Sequence, residues 1–486
     1  MKMSIDLYLA VLLLAPVAAI FWALLVRRAS AWVNLLAAVA VMIASLLLLP
    51  QSGTPQVVAD GLLYVDRLGA WVVLCIAVVY LLASLHAVDY LRHDPEQKRK
   101  PMFYALFAGF ALAMLAASLA NDLGVYWIGI EMTTLVSTFL VGYERKVESL
   151  EAAWKYIIIV SAGLSLALLG TVILYWGGSF VLGPTYTLNW LTLQAIAAKM
   201  PASLLRLGFF LALIGYGVKA GLAPMHTWLP DAHSEGPAPV SAMLSGALLN
   251  TAMLGIVRIL AATDIAGQGT WPHRVLIGLG LLSVFVGAMF IVRQRGIKRL
   301  MAYSSVEHMG VIALGFGFGG PLGIAGALYH MLNHSLNKSL MFFGAGNAIH
   351  RFRTHQMRSM RNMVRALPRS AWIWLAGAIA ITGAPPFGLF RSELAILRAG
   401  WHNDTLIVAV LLLVLLIVIF VGFLNHFRAM YAGGPEEPLP DGPEPGWLGV
   451  LPMLLALLGL LVLGLWWPPV LQTWFAGIAH SLGATP

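Results

Sequence analysis

Residues 7–26 read LYLAVLLLAPVAAIFWALLV, a run of twenty residues without a charge. An α-helix rises about 1.5 Å per residue, so this run is long enough to cross the ~30 Å hydrocarbon core of a bilayer. Its basic flank, Arg27 and Arg28, follows the run, whereas a cleaved signal peptide carries its positive charge before the apolar stretch. The stretch therefore predicts a membrane-spanning helix, with a cleaved signal peptide as the alternative.

The same apolar character extends along the whole chain. Of 486 residues, 60% are hydrophobic and only 10% are charged, whereas a soluble domain carries about 25% charged residues. Such a chain cannot cover a water-facing surface, so we expect lipid to be its main solvent and 1–486 to form a single integral membrane domain. The predicted fold class is an all-α polytopic membrane protein.

Cysteine content and net charge exclude several other classes. Cys75 is the one cysteine, so the chain cannot supply a disulfide framework or a cysteine-ligated iron–sulfur or zinc site. The formal net charge is +9. Positively charged loops on one side of a membrane explain this charge, so no nucleic-acid partner is expected. Without a glycine-rich phosphate loop either, no cofactor and no metal site is predicted.

About fourteen segments are long and apolar enough to be predicted membrane crossings. They are 5–26, 31–50, 68–88, 102–120, 122–142, 152–176, 206–228, 238–262, 274–292, 299–318, 321–348, 371–399, 405–430 and 448–468. A Pro- and Gly-rich stretch at 433–446 reads as a flexible linker before the last segment.

Loop charges test this segment count. Nearly all Lys and Arg residues in the loops follow odd-numbered segments, and those after even-numbered segments are only Arg67, Lys199, Arg206 and Arg274. A miscounted helix would scramble that division. The odd loops are therefore predicted to be cytoplasmic, with both termini outside, in a bacterial cytoplasmic (inner) membrane. The basic loop 351–369 is a candidate contact for lipid headgroups or a partner.

Two segments, five helices apart, are interrupted by similar elements. The first is GLAP at 221–224 and the second is GAPP at 383–386. Paired interruptions at corresponding places indicate repeated transporter halves with a site near the membrane midplane, and an odd number of helices per repeat would make the halves inverted. Two broken helices are therefore predicted.

Charged and titratable residues lie inside the predicted spans, where an ionised side chain costs on the order of 2.5–3.5 kcal/mol on insertion scales. They are Glu131, Lys219, Glu307, His308 and Glu393. A buried lysine loses its charge easily, and a nearby carboxylate restores it, so a lysine that gains and loses such a partner can take up and release a proton. These residues are candidates for a proton path.

The sharpest pattern is a polar stripe on one segment. His330, His334 and Lys338 follow each other at intervals of four, so they share one helical face. Histidine titrates near neutrality and can pass a proton through either ring nitrogen. Three such groups one turn apart predict a proton relay.

Plainer interpretations remain open for each group. As alternatives, Glu131 and Lys219 would form a static ion pair, and the stripe would serve as a structural polar seam or ligate haem. Asp231, His233 and Glu235 follow the first break and are interpreted as loop structure or a pathway mouth in preference to a metal site.

Several stretches resemble a known superfamily. MHTWLPDAH at 225–233, IKRLMAYSS at 297–305 and the segment 330–338 resemble the antiporter-like membrane subunits shared by respiratory complex I, Mrp-type Na⁺/H⁺ antiporters and membrane-bound hydrogenases. The similarity extends over nearly the whole chain.

Within that superfamily the chain is most similar to the hydrogenase-4 component F branch. The stretches that carry this similarity are SLEAAWKY at 149–156, PVSAMLSGALLN at 239–250 and SSVEHMG at 304–310.

The resemblance implies two inverted five-helix repeats and a polar axis along the midplane. It divides the chain into N-terminal helices (1–100), a first repeat (102–262), a second repeat (274–430), the linker (433–446) and a C-terminal helix (448–486). Glu131 and Lys219 would be the glutamate of helix five and the lysine of helix seven. His334 and Lys338 would form the helix-eleven relay, and Glu393 the terminal group of helix twelve.

The resemblance also implies partners and a function. The chain would be a non-redox, proton-translocating subunit of an oxidoreductase complex, of hydrogenase-4 or NADH:quinone oxidoreductase type. Its partners would be other membrane subunits, including antiporter-like paralogues, and peripheral hydrogenase-like or quinone-oxidoreductase-like subunits. A subunit of an Mrp-like cation/proton antiporter, a proton-path subunit of an inorganic-carbon uptake complex and a structural membrane anchor are the alternatives.

One departure from the superfamily pattern concerns the middle of the axis. Many relatives place a Lys or His on helix eight, where this chain offers Ser245 and Asn250. Neither side chain titrates, so the sequence leaves open how a proton would pass this point.

Overall fold

The computed structural model describes residues 5–93, 97–401, 404–433 and 440–483, so the predicted linker 433–446 lies partly outside the described residues. Within these ranges the chain forms twenty α-helices and one antiparallel pair of strands. The helices are α1 Ile5–Leu25, α2 Ser30–Leu48, α3 Arg67–Tyr90, α4 Lys100–Leu119, α5 Leu123–Val141, α6 Val147–Leu182, α7 Trp190–Ile196, α8 Ala202–Ala220, α9 Trp228–Glu235, α10 Ala238–Met243, α11 Leu249–Ile265, α12 Trp271–Val292, α13 Ile297–Phe318, α14 Gly320–Phe352, α15 Met363–Ala366, α16 Ala371–Ile381, α17 Gly388–Ala399, α18 Leu406–Tyr431, α19 Trp447–Leu465 and α20 Pro469–Ser481. The strands are β1 Gln56–Val58 and β2 Leu63–Val65.

Each predicted segment coincides with one helix or with consecutive helices, so the all-α polytopic class is confirmed. Among the described residues, eleven spans are long and apolar enough to cross a bilayer. The other three predicted segments are α13, α14 and the broken pair α16 and α17. Polar side chains lower the mean hydropathy of α13 and α14, and the break leaves α16 apolar but too short to cross. The count of fourteen crossings stays a prediction.

The C-terminal region differs from the sequence-based expectation. Residues 448–486 were predicted to hold one helix, but α19 ends at Leu465 and α20 begins at Pro469. Pro468 and Pro469 explain the break, because proline lacks the N–H group that continues a helix and favours the first helical position. The short helices α7 and α15 were not predicted either.

Burial separates an inner from an outer set of helices. The span Ala238–Ile265 is buried along its whole apolar window, and most of α13 and α14 is buried as well. The outer helices α1 and α18 keep large apolar side chains exposed, such as Leu14 and Ile407. Lipid solvates such a surface, whereas polar groups inside a bilayer need protein partners. The inner helices are therefore the ones that can carry titratable residues.

Both predicted helix breaks are present. Helix α8 ends at Ala220 and is capped by Gly221, whose φ of +74° lies in the left-handed region that favours glycine. A single 3₁₀ turn at Met225–Thr227 precedes α9. Helix α16 ends before Gly383, with φ +68°, and α17 begins at Gly388. A third irregularity was not predicted: Leu244–Leu248 between α10 and α11 forms a π-helical turn, a feature frequent at functional sites.

The loops sort to two opposite ends, as the alternation of segments requires. At one end, loops that follow even-numbered segments touch through the bridges Leu63 to Ala120 and Asp122 to Asn189. At the other end, loops that follow odd-numbered segments touch, for example through the bridge between Gly296 and Gln356. We call the arginine-rich odd-loop end the basic end and the other the opposite end.

Candidate functional site

The eight predicted site residues form two clusters. Glu131 and Lys219 lie in the first cluster, built by α5, α6 and α8. The second cluster is built by α13, α14 and α17 and contains the remaining six: Glu307, His308, His330, His334, Lys338 and Glu393.

Lys219 is fully buried in the last turn of α8, directly before the break at Gly221. Its Nζ donates to the hydroxyl groups of Thr134 (2.8 Å) and Tyr156 (2.7 Å). The Tyr156 hydroxyl in turn hydrogen-bonds Ser137 at 2.8 Å. A buried ammonium group is thus held by neutral oxygens, an arrangement that can release a proton without breaking an ion pair.

Glu131 lies on α5 and is half-buried. One carboxylate oxygen accepts a hydrogen bond from Ser161 on α6 at 2.5 Å, and the other has no hydrogen-bond partner among the described residues. Among the ion pairs of the described chain, none within 4.0 Å joins Glu131 to Lys219. The structure therefore does not contain the static ion pair considered from the sequence.

Lys338 and His334 face α13 and the π-helical turn. Lys338 Nζ donates to Ser304 Oγ (2.8 Å) and to the carbonyl oxygen of Met301 (3.3 Å). His334 Nε2 lies 3.2 Å from the carbonyl oxygen of Ser245, whose hydroxyl is 2.7 Å from that of Ser305. The lysine again has only neutral oxygens as partners.

A chain of hydrogen bonds joins α17, α14 and α13. Ser392 Oγ lies 2.9 Å from His330 Nδ1, and His330 Nε2 lies 3.0 Å from His308 Nδ1. His308 Nε2 then faces a carboxylate oxygen of Glu307 at 3.4 Å. These last two atoms have no hydrogen-bond partner among the described residues, so each is open to a proton or to water. The chain offers a route for proton transfer between helices.

Glu393 completes the second cluster at the second helix break. Its carboxylate lies against Gly383, where any side chain would overlap it. Donor atoms of Glu393, His308 and His330 all lie within 4.8 Å of one another, which is the spacing of a metal-ligand set. Both nitrogens of His330 are already engaged by His308 and Ser392, and the expectation of no metal stays a prediction.

The middle of the axis is built by neutral groups. Asn250 Nδ2 donates to Ser335 Oγ at 3.1 Å, and its Oδ1 has no partner in the described chain. Within the described ranges no direct hydrogen bond joins the first cluster to the second. Transfer between them therefore needs water or side-chain motion.

Asp231, His233 and Glu235, interpreted from the sequence as loop structure or a pathway mouth, lie on the short helix α9 at the basic end; the pathway mouth stays a prediction. Asp231 pairs with Arg299 (2.5 Å) and Lys155 (3.4 Å), so this carboxylate is held by cations and not arranged as a metal ligand. His233 is fully buried, stacks on Phe342 at 4.9 Å between ring centroids, and has no hydrogen-bond partner for either ring nitrogen in the described chain.

Neutral hydroxyl groups that contact the titratable residues were not predicted from the sequence. Ser304, Ser392, Tyr156 and Ser161 contact the titratable residues directly. Ser304 lies three residues before Glu307, and Ser392 immediately precedes Glu393. A hydroxyl residue within one turn of an intramembrane charge was the signal available for these two. The side chains that these four hydroxyl groups contact lie 30 to 63 positions away in sequence, so only the fold identifies the partners.

Fold and site together define an antiporter-like polytopic membrane subunit, with two helix breaks and two buried clusters of titratable side chains. The chain belongs to the family described as "NADH:quinone oxidoreductase/Mrp antiporter, TM", which matches residues 120–419.

Individual relatives agree with this assignment. The chain is 34% identical to a hydrogenase-4 component F homolog of Methylacidiphilum infernorum, over 92% of this chain and 94% of the relative. It is similar, with a TM-score of 0.87 and 24% identity, to a chain of the archaeal membrane-bound sulfane sulfur reductase; 98% of each chain is covered. A chain of respiratory complex I from Thermus thermophilus matches with a TM-score of 0.76 and 26% identity, covering 96% of this chain and 98% of that one.

Proposed function

We propose that the chain conducts protons across the membrane as a non-redox subunit of a multisubunit oxidoreductase complex. The observation that carries the proposal is the chain of contacts from Ser392 through His330 and His308 to Glu307, buried inside a lipid-embedded bundle. A bilayer interior tolerates such groups only where a function requires them.

Each cluster contains a lysine whose hydrogen-bond acceptors are neutral oxygens. A carboxylate lies nearby in each cluster. Proton uptake and release by Lys219 would follow motion of Glu131 toward it and away from it, because a carboxylate neighbour stabilises the charged amine. Lys338 and Glu307 would act in the same way in the second cluster. Glu393, at the second break, would exchange protons with the surface or with a partner subunit.

We place the driving reaction in partner subunits. The relatives named above carry hydrogenase and respiratory-complex names, so hydrogenase-like or quinone-oxidoreductase-like peripheral subunits and antiporter-like paralogues are the proposed partners. The positive-inside rule supports a basic end that faces the cytoplasm, with both termini outside, in a bacterial cytoplasmic membrane.

The test compares Lys219→Met with Lys199→Met in inverted membrane vesicles that contain the assembled complex. Acidification of the lumen is followed with a pH-sensitive dye while electron transfer is measured in parallel. We expect Lys219→Met to abolish acidification while part of the electron transfer remains. Lys199 is exposed, so Lys199→Met should change neither acidification nor electron transfer. Full acidification by the Lys219→Met variant would overturn the proposal.

A second candidate, cation/proton exchange, follows from the family description, which includes Mrp antiporters. The same vesicles distinguish the two functions. Acidification that requires an electron donor supports redox-driven transport, whereas a pH change driven by a sodium gradient without any donor supports exchange.

A further inference from the structure

A pocket at the opposite end of the bundle gathers two arginines on the side where basic residues are scarce. Its cavity, of about 230 Å³, lies between the β1–β2 hairpin, the start of α3, α7, the end of α11 and α20. Arg67 and Arg258 line it together with Asp66, Trp190 and His480. We call it the two-arginine pocket; none of its residues belongs to the two proton-path clusters.

The Arg258 side chain is 3% exposed, and only part of its guanidinium group is hydrogen-bonded. Its Nη2 donates to Asp66 Oδ1 at 2.7 Å, but Nε and Nη1 have no hydrogen-bond partner among the described residues. The guanidinium carbon lies 5.0 Å from the ring centroids of both Tyr64 and Trp190. Aromatic faces attract a cation but offer no oxygen acceptor to these N–H groups. Two N–H-bearing nitrogens of a side chain that lines the pocket are therefore left without an acceptor in the described chain.

Arg67 supplies the second guanidinium. It packs against the backbone of Gly477 on α20, where any side chain would overlap it, and lies 5.8 Å from the ring centroid of Trp474. Its Nε is buried without a hydrogen-bond partner in the described chain. Glycine at 477 thus lets α20 close over the arginine and fix its position at the cavity.

The charges of the pocket do not cancel. Two guanidinium groups face one carboxylate, Asp66, which also accepts a hydrogen bond from Gly69 N at 2.8 Å. Burial, and secondly the Asp66 carboxylate, raise the pKa of Tyr64 to about 12, so its phenol stays neutral at physiological pH. The pocket therefore has a net charge of one positive unit in a partly enclosed space, which favours the binding of an anion.

We propose that the two-arginine pocket binds a phosphate-bearing anion, with the guanidinium groups of Arg67 and Arg258 as its donors. Guanidinium groups form paired N–H···O hydrogen bonds that match the oxygens of a phosphate. Inorganic phosphate and the phosphodiester of an anionic phospholipid present this same chemistry. The pocket borders the exposed Leu191, an apolar rim on which an acyl chain could lie.

Thermal unfolding of the purified full chain tests the proposal. Tryptophan fluorescence is followed in detergent against inorganic phosphate at constant ionic strength set with chloride, and in nanodiscs of phosphatidylcholine with or without phosphatidylglycerol. A ligand that binds the folded state raises the unfolding temperature. We expect phosphate, phosphatidylglycerol or both to raise it for the unaltered chain.

Three variants separate this site from general charge effects. Arg67→Gln should weaken the apparent affinity about ten-fold, since one charge-assisted contact is worth roughly that factor. Asp66→Asn keeps an oxygen for Gly69 N and should tighten binding, because it removes the competing negative charge. Arg274→Gln alters an exposed arginine of the same end, outside the pocket, and should change nothing.

The outcomes are distinct. A shift with inorganic phosphate supports a site for the free anion, and a shift with phosphatidylglycerol alone supports a lipid headgroup. No shift with either probe, or equal effects of Arg67→Gln and Arg274→Gln, would overturn the proposal. Arg258→Gln is not used, because Arg258 is 3% exposed and packs against Tyr64 and Trp190, so its replacement would disturb the fold itself. Neither result bears on proton transport, so the two proposals fail independently.

Discussion

His308 Nδ1 lies 3.0 Å from His330 Nε2, so one hydrogen bond joins helices α13 and α14 through two imidazole rings. In a neutral pair one of these nitrogens carries the proton and the other accepts it. The remaining nitrogen of His330 contacts Ser392 at 2.9 Å. Passing a proton through His330 therefore changes the tautomer of its ring and reverses the donor and acceptor in the bond to His308.

Replacing His308 by Gln should stop proton transport with little effect on assembly. A glutamine amide fills similar space and can hydrogen-bond His330, but it cannot take up and release a proton. We expect the transport rate to fall by roughly 100-fold, the lower end of the range for losing a general acid–base group. Dye-monitored acidification of vesicles measures it.

His86→Gln is the matched control for this substitution. His86 is also fully buried, stacked on Phe343 at 4.3 Å between ring centroids, but lies outside both clusters. Its replacement should leave transport unchanged. Equal losses in the two variants would mean that any buried histidine is needed for folding and that the His308–His330 bond has no special part.

Tyr156→Phe should slow transport several-fold, because Lys219 loses one of its two hydroxyl acceptors. The free energy of unfolding should fall by only about 1 kcal/mol, the usual worth of one hydrogen bond. Tyr104→Phe removes a comparable buried hydrogen bond, to the carbonyl oxygen of Ala87 at 3.1 Å, away from Lys219. It should cost similar stability without slowing transport, and unimpaired transport in Tyr156→Phe would contradict the role given to this hydroxyl.

Gly287→Ala should disturb Glu307 from the neighbouring helix. A Cβ atom at Gly287 of α12 would lie 2.6 Å from Cβ of Glu307, closer than two such atoms can approach. Forcing an extra methyl group into packed contact costs about 1–3 kcal/mol, and Glu307 would move. We expect a lower unfolding temperature together with slower transport.

Gly278→Ala on the same helix meets nothing within 4 Å and serves as the control. It should leave both the unfolding temperature and the transport rate unchanged. If Gly287→Ala changes neither the unfolding temperature nor the transport rate, the close packing of α12 against Glu307 is not needed for stability or transport.

Asp231→Asn should have a small effect on stability. Asp231 is 25% exposed, and the side chains of its partners Arg299 and Lys155 are about half exposed. Ion pairs in such positions contribute less than about 1 kcal/mol. Unfolding of the purified chain measures this, and the loss should shrink at high salt because ions screen the pairs. A loss of several kcal/mol would show that the carboxylate is held far more tightly than its exposure implies.

Much of the fold could be predicted because hydropathy and helix length are local properties. The broken helices followed from GLAP and GAPP, and the polar stripe on α14 followed from the spacing of His330, His334 and Lys338. The break between α19 and α20 was missed, although Pro468 and Pro469 signal it. The apolar run 448–468 continued to those prolines and concealed the earlier end of the helix at Leu465.

The sequence by itself determined the class of the protein, the alternation of its loops and the identity of the titratable residues. These depend on the cost of placing charge and backbone polar groups in lipid, which each segment experiences separately. Which groups meet was decided only by tertiary structure. A static pair of Lys219 with Glu131 was one interpretation of the sequence, but Lys219 contacts Thr134 and Tyr156. Arg258 pairs with Asp66 across 192 positions of sequence. Hydrogen bonds form within about 3 Å, and only the packing of helices brings distant residues to that separation.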